Sequence, residues 1–418
     1  MEQLLRSGVR LRLLIVTPAV AIFLSSMGVN VGNLGFNMIF SRLMGPELFG
    51  QLAFLLTLKL SLLSLFGAVQ MAVSHLVSDC PATHHPALLS ALSALNRASF
   101  GLLCGVAVVI SVGLWLWLGG AALPPVLLVA AVPYGAAFSL LRGVAYGALH
   151  TRPIILSANV EMGVRLIGAL VAWQLGFGLS GVVGAIALSI VAGWWVVRRE
   201  LPTPSRSQAH SQPSLVRALV LGAGAFALLQ LSQVLALDGD IFLARSFLSA
   251  EEGGLIAALS LFQRIQFFAC FSLATVLLPD LTRARREGQS LLTALRPVAA
   301  LFAGVSLSVL IATTAMPETL TDLLVGSQYR AAAPMLRLAA LSSIAFTLSY
   351  LIATALMAFG DRSGIWICLS IAVLQLAAMA LSPDPQLSYF VTIKLAAQLL
   401  ACGVSLGLFV QRMRTARA

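Results

Sequence analysis

The sequence predicts an all-α polytopic membrane protein with about 12 transmembrane helices in two pseudo-symmetric six-helix lobes. Three observations predict it. First, 59% of the 418 residues are hydrophobic and only 10% are charged, with a mean hydropathy of +0.96. A soluble domain carries about 25% charged residues, and a soluble fold of this length needs that charge to cover its surface. A cytosolic enzyme is therefore excluded, as are disordered, fibrous and disulfide-stapled secreted chains. Second, short polar breaks divide the chain into apolar runs of roughly 20–30 residues, the length that crosses a bilayer as a helix. Third, a segment near the start recurs at a constant offset of 204 residues.

The elements follow from the breaks. Residues 1–12 are basic and precede a long apolar run; no polar mature domain follows, so this run reads as a first span rather than a cleaved signal. The breaks lie at 41–48, 79–86, 119–125, 150–153, 176–180 and 198–213. Later ones lie at 246–253, 282–290, 317–330, 360–363 and 382–386. Each is rich in Gly, Pro, Asp, Ser or Arg, residues that end helices or stay in water. Eleven breaks give twelve spans, and runs this long exclude the strands of a membrane barrel.

Arginine placement orients the spans. With the N-terminus inside, 18 Arg residues fall on the inner side, and only Arg42, Arg245, Arg330 and Arg337 fall outside. The positive-inside rule then puts both termini in the cytoplasm. The longest polar segment, 198–213, is rich in Pro, Ser and Gln and suits a flexible linker. It divides the chain into an N-terminal lobe (1–200), a linker (201–213) and a C-terminal lobe (214–418). The repeat flanks it: Gly35 falls on Gly239, Glu47 on Glu251, Gly50 on Gly254 and Ala53 on Ala257. Six spans per unit give both units the same orientation, a common transporter plan.

Charges inside a bilayer cost about 2.5–3.5 kcal/mol or more and point to a cavity or a partner. Lys59, Arg165, Arg264 and Lys394 lie within spans two, five, eight and twelve. Glu161 is the clear intramembrane acid, with Asp238 and Asp240 toward the outer end of span seven. A positively biased lumen is expected. At 100° per residue, Asn30, Asn33 and Asn37 share one face of span one. Gln230, Gln233 and Asp240 share one on span seven, with Asp238 pointing elsewhere. Lys59, Gln70 and Ser74 form a stripe on span two, and Lys394, Gln398 and Ser405 one on span twelve. Such stripes either glue helices together or line a hydrophilic cleft. Glu161 and Arg165, spaced i, i+4, can pair. Lys59 and Arg264 have no acid at helical spacing and are the expected anion contacts, with Lys394 a weaker candidate near the outer side.

Catalytic patterns are missing from the sequence: no phosphate-binding loop, nucleophile elbow or metal spacing occurs, so no enzyme activity, metal or cofactor is expected. The five cysteines are widely separated and read as packing residues. His84 and His85 fall in a short loop beside Pro81 and Pro86 and read as a solvated turn. The net charge of +11 comes from scattered Arg rather than a clustered basic face, so nucleic acid is not an expected partner.

Three stretches resemble the O-antigen-type, polysaccharide-biosynthesis flippases of the multidrug/oligosaccharidyl-lipid/polysaccharide (MOP) exporter superfamily. They are Ser41-Arg-Leu-Met-Gly-Pro-Glu-Leu-Phe-Gly50, then Asp240 through Gly254 running on to Leu278-Pro279, and Val325-Gly-Ser-Gln-Tyr-Arg-Ala-Ala-Ala-Pro334. Leu255 stands where many relatives have Tyr. The resemblance implies a MATE-like pair of lobes enclosing a cleft that opens alternately to either side. It implies a lipid-linked oligosaccharide on an undecaprenyl pyrophosphate carrier, moved across a bacterial inner membrane. It also implies contact with membrane lipids and leaves room for polymerase or glycosyltransferase partners. Two rivals stand beside it: a multidrug cation antiporter of the same superfamily, and a non-transporting membrane subunit of a polysaccharide synthase or export complex.

Overall fold

The computed structural model describes residues 18–80, 85–201, 213–286, 291–381 and 385–415. Among them every regular element is helical. The helices are α1 (Pro18–Asp79), α2 (His85–Leu118), α3 (Leu123–Gly147), α4 (Thr151–Gln174), α5 (Gly178–Glu200) and α6 (Pro213–Phe247). They continue as α7 (Ala250–Arg286), α8 (Leu291–Ala315), the short α9 (Pro317–Leu324), α10 (Leu336–Ala358), α11 (Ser363–Ala380) and α12 (Leu387–Thr415). Single 3-10 stretches lie at Gly119–Ala122 and Ser327–Met335.

Ten stretches among the described residues are long and apolar enough to cross a membrane. Two of them, Leu24–Ser78 and Pro86–Gly147, have 55 and 62 residues. At about 1.5 Å per residue each is more than twice the roughly 30 Å of a bilayer core, so each accounts for two crossings and the ten stretches make twelve. Both are interrupted where breaks are expected from the sequence, at Gly45 and at the Gly119–Ala122 turn. The outer surface agrees. On α2, Leu102, Val109, Leu116 and Trp117 stand exposed, Trp117 to 82%, a covering that hydrocarbon tolerates and water does not.

The bend in α1 has a local cause. Gly45 takes φ 73°, left-handed and open to glycine, and Pro46 has no N–H to give to the Arg42 carbonyl. The Arg42 carbonyl thereby loses its helical partner. Tyr329 Oη and Gln328 Nε2 donate to the Ser41 carbonyl at 3.1 and 2.8 Å, and Ser41 Oγ donates to the Val325 carbonyl at 3.1 Å. Arg42 in turn donates to the carbonyls of Asp322 and Leu323 at the end of α9 (3.1 and 2.5 Å), where a cation suits the helix C-terminus. The Gly326-Ser-Gln-Tyr329 motif is thus a clamp on the α1 bend, with fully buried Tyr329 also meeting Phe49 edge-on at 6.0 Å. At the start of α7, Ser249 and Glu252 cap each other: the Glu252 amide donates to Ser249 Oγ (3.3 Å), and the Ser249 amide donates to Glu252 Oε2 (3.1 Å).

The chain forms two compact units, one of Met1–Phe36 with Leu62–Ala227, the other of Asn37–Ser61 with Leu228–Ala418. The division differs from 1–200 and 214–418 in two places. Residues 37–61 group with the second unit because the hydrogen bonds just described tie the α1 bend to the 327–335 segment. Residues 214–227 group with the first. The expected linker lies almost wholly outside the described residues, as does His84.

In the first unit α5 packs against α4 and α3, and α3 also against α2. Gly143 and Gly147 let α3 approach α1 closely: a Cβ on them would stand 2.7 Å from the Gln70 carbonyl oxygen and 2.6 Å from that of Ser74, a small-xxx-small contact typical of membrane helices. In the second unit α10 is central, packed against α7, α8, α11 and α12.

Candidate functional site

Two acid–base pairs occupy the interior of the second unit, both anchored on α6. Asp238 and Asp240 are two residues apart, so at 100° per residue their side chains diverge by about 160° and reach different helices. Asp238 accepts from Arg264 Nε of α7 at 2.8 Å, and Arg264 Nη2 donates to Thr57 Oγ1 of α1 at 2.9 Å. Asp240 Oδ2 accepts from Lys394 Nζ of α12 at 2.7 Å, and the same ammonium donates to the Leu237 carbonyl at 2.6 Å. The two acids are 1% and 4% exposed, and Lys394 is 1% exposed.

These pairs correct four expectations. Arg264 has an acidic partner; it comes from the neighbouring helix, so spacing within one helix could not show it. Lys394 is not an available cation near the outer side, since a carboxylate and a carbonyl enclose it. Asp238 and Asp240 are deeply buried, and Asp240 is engaged by Lys394 instead of being open to a cargo. The expected positive bias is offset at two of its four cations, since Arg264 and Lys394 are paired with Asp238 and Asp240. Lys59, in the same unit, is 6% exposed and lies two residues along α1 from Thr57.

A web of amides and hydroxyls surrounds the pairs. Gln375 Nε2 of α11 donates to the Ala236 carbonyl at 3.3 Å, and its Oε1 accepts from Gln398 Nε2 of α12. Lys394, Gln398 and Ser405 are all buried on α12. Gln266 Oε1 accepts from Ser343 and Thr347 at 3.1 and 2.9 Å, while its Nε2 donates to Ser306 Oγ at 3.3 Å. Gln233 is buried and Gln230 half-buried. Such bonding is the helix-gluing role open to any buried amide, and for Gln375, Gln398 and Gln266 it is the role the geometry assigns.

Glu161 and Arg165 belong to α4 in the first unit. Arg165 lies within Coulombic reach of Glu161; its Nη2 meets Met162 Sδ at 3.0 Å, and its Nε is buried without a hydrogen-bond partner. Gly193 of α5 backs the acid: a Cβ there would stand 3.4 Å from Glu161 Cβ. On α1, Asn30 is exposed, and Asn33 and Asn37 are half-buried. Asn33 belongs to the first unit and Asn37 to the second.

Thr57, Asp238 and Gln375 were not picked out by sequence reasoning as partners. One signal was present. Asp238 lies 10 residues before Leu248, and Arg264 lies 15 after Ser249, in two consecutive antiparallel helices whose turn is at 248–249. A short connection makes consecutive helices neighbours, so an acid on α6 and a base on α7 are candidate partners. Among the described residues no group of three His, Cys, Asp or Glu could hold a metal, and Cys270 and Cys368 are buried free thiols.

No family model and no curated protein matches the sequence. The fold, by contrast, matches solved transporters over nearly the whole chain. An inward-facing multidrug resistance MATE family transporter of the MOP superfamily is 14% identical, with a TM-score of 0.76 over 93% of this chain and 95% of that one. A MATE in complex with MaL6 is 14% identical, with a TM-score of 0.70 over 97% and 98%. A MOP superfamily transporter from Pyrococcus furiosus, whose binding pocket is described as having reverse polarity that suggests a different function, is 14% identical, with a TM-score of 0.68 over 97% and 98%. At this identity the likeness is one of fold: the chain has the two-lobe helical fold of MATE transporters.

Proposed function

We propose that the chain is a flippase that moves an anionic lipid-linked oligosaccharide, of the undecaprenyl pyrophosphate type, across the bacterial inner membrane for surface polysaccharide synthesis. Both termini are cytoplasmic in this reading, following the arginine bias. The observation that supports it is the burial of cations among the helices of the second unit: Lys59 is 6% exposed on α1, two residues from Thr57, to which Arg264 donates. A pyrophosphate entering a cleft loses hydration, which is unfavourable unless fixed donors replace it. Asn30, Asn33 and Asn37, on one face of α1, suit sugar hydroxyls.

Energetics favour export. Two negative charges moving outward across an inside-negative membrane gain roughly 4–5 kcal/mol at about 100 mV. A multidrug cation antiporter shares the fold, but a cationic cargo needs an acid to meet it, and Asp238 and Asp240 already hold Arg264 and Lys394. A fold does not dictate the sign of its cargo, and the description of the Pyrococcus furiosus protein accords with that.

Lys59→Ala in a strain whose surface glycan depends on this gene tests the reading. Loss of surface glycan at normal protein level is expected, with Lys59→Arg retaining part of the export because a mobile head group tolerates different donors. Normal glycan from Lys59→Ala, or drug efflux that rises in that variant, would overturn the anionic cargo in favour of a cationic one.

A further inference from the structure

The ammonium of Lys394 sits in a cradle of oxygens supplied by one turn of α6. Leu237 and Asp240 are three residues apart, so the Leu237 carbonyl and the Asp240 carboxylate lie on one side of the helix. They hold the nitrogen at 2.6 and 2.7 Å. Among the described residues nothing donates to Asp240 Oδ1, which is buried. The other charged and polar groups nearby are committed elsewhere: Asp238 to Arg264 of α7, and Gln375 of α11 to the Ala236 carbonyl and to Gln398 of α12. A full negative charge, a helix carbonyl with its second lone pair, and a further carboxylate oxygen make a hard, all-oxygen donor set. That is chemistry suited to a small monovalent cation, and an ammonium group is close to the potassium ion in size and charge.

We infer that the Leu237 carbonyl and the Asp240 carboxylate form a monovalent-cation site within the second unit, filled by the chain's own Lys394 ammonium. The protein therefore takes up no cation from solution at this place. A tethered occupant differs from a dissolved one in a measurable way. An ion that binds only the folded state stabilises in proportion to the logarithm of its concentration; a covalently attached ammonium does not. The inference concerns the resident ion and holds whatever the cargo is.

The test uses the full chain in detergent, melted at equal ionic strength in chloride salts of sodium, potassium, methylammonium and the bulky N-methylglucamine. Wild type should melt at one temperature in all four. Lys394→Ala empties the cradle while keeping the Asp240 carboxyl, and should melt lower in N-methylglucamine. It should recover about half or more of that loss in at least one of the three small cations, increasingly with concentration. Lys394→Ala with Asp240→Asn, which has no charge to satisfy, should be indifferent to the salt. Equal melting of Lys394→Ala in all four salts would overturn the inference and leave an ordinary buried ion pair. Wild type stabilised by sodium or potassium as strongly as Lys394→Ala would overturn it too. So would failure to recover folded Lys394→Ala in any of these cations, whether or not the double variant folds, because the cradle then accepts nothing but the tethered group.

Discussion

Gly50 and Gly254 meet backbone to backbone: a Cβ on Gly50 would stand 3.0 Å from the Gly254 amide nitrogen, and one on Gly254 only 2.1 Å from the Pro46 carbonyl oxygen. These are repeat-equivalent residues, 204 positions apart, so the two copies of the motif touch each other at their matching glycines. A methyl group at 254 must push the α1 bend away from α7, and its obstacle is backbone, which yields less easily than a side chain. Gly254→Ala should therefore cost about 1–3 kcal/mol, the usual penalty for overpacking, and more than Gly50→Ala. Thermal melting of both variants in detergent checks the order; equal and negligible effects would show that the bend is free to move.

Arg264 and Asp238 should behave as one unit. Removing a single partner of a buried ion pair costs about 3–5 kcal/mol, because the remaining charge has no compensation. Arg264→Gln should therefore lower folded yield, with Asp238→Asn in the same chain restoring much of it. Yield and melting temperature across the four-member cycle measure the coupling. Additive losses would mean that the pair contributes nothing beyond its separate groups. Arg264→Ala alone is thus a poor probe of substrate binding, since it disturbs Asp238, which is 1% exposed.

Glu161 and Arg165 invite the same comparison in the first unit. The buried Nε of Arg165 accepts no compensation from a hydrogen-bond partner, so the charge of Glu161 matters to it. Glu161→Gln and Arg165→Gln should each reduce expression and transport, and the double variant should do better than the worse single. A double variant no better than that single would refute the coupling.

Acid sensitivity should show in the loop after α10. The hydroxyl of Ser363 donates to Asp361 Oδ1 at 2.6 Å, its amide at 2.9 Å, and Arg412 Nε reaches Oδ2 at 2.7 Å. The Ser363 hydroxyl first, then the other donors, hold this carboxyl below its usual range. A depressed carboxyl pKa contributes stability that is fully present above the unfolded value of about 4 and is lost as pH falls through the folded one. The melting difference between wild type and Asp361→Asn should thus be constant from neutral pH down to about 5 and shrink below about 4. A difference that widens on acidification would contradict the sign.

Sequence alone determined the class, the helix count and the places where helices stop. Apolar runs, glycines, prolines and polar breaks act locally, through the length a bilayer demands and the backbone geometry each residue permits. Hence breaks recur where their residues are described, as at the turn near Gly176, where α4 ends at Gln174 and α5 begins at Gly178. The divergence of Asp238 from Asp240 was equally legible, because 100° per residue is a property of any helix. Tertiary structure decided which charges cancel. Arg264 is 26 residues from Asp238, and Lys394 is 154 from Asp240. Whether a buried cation is a binding group or one half of a neutral pair depends on what stands within about 3 Å of it, and helix packing, not position along the chain, brings that partner there.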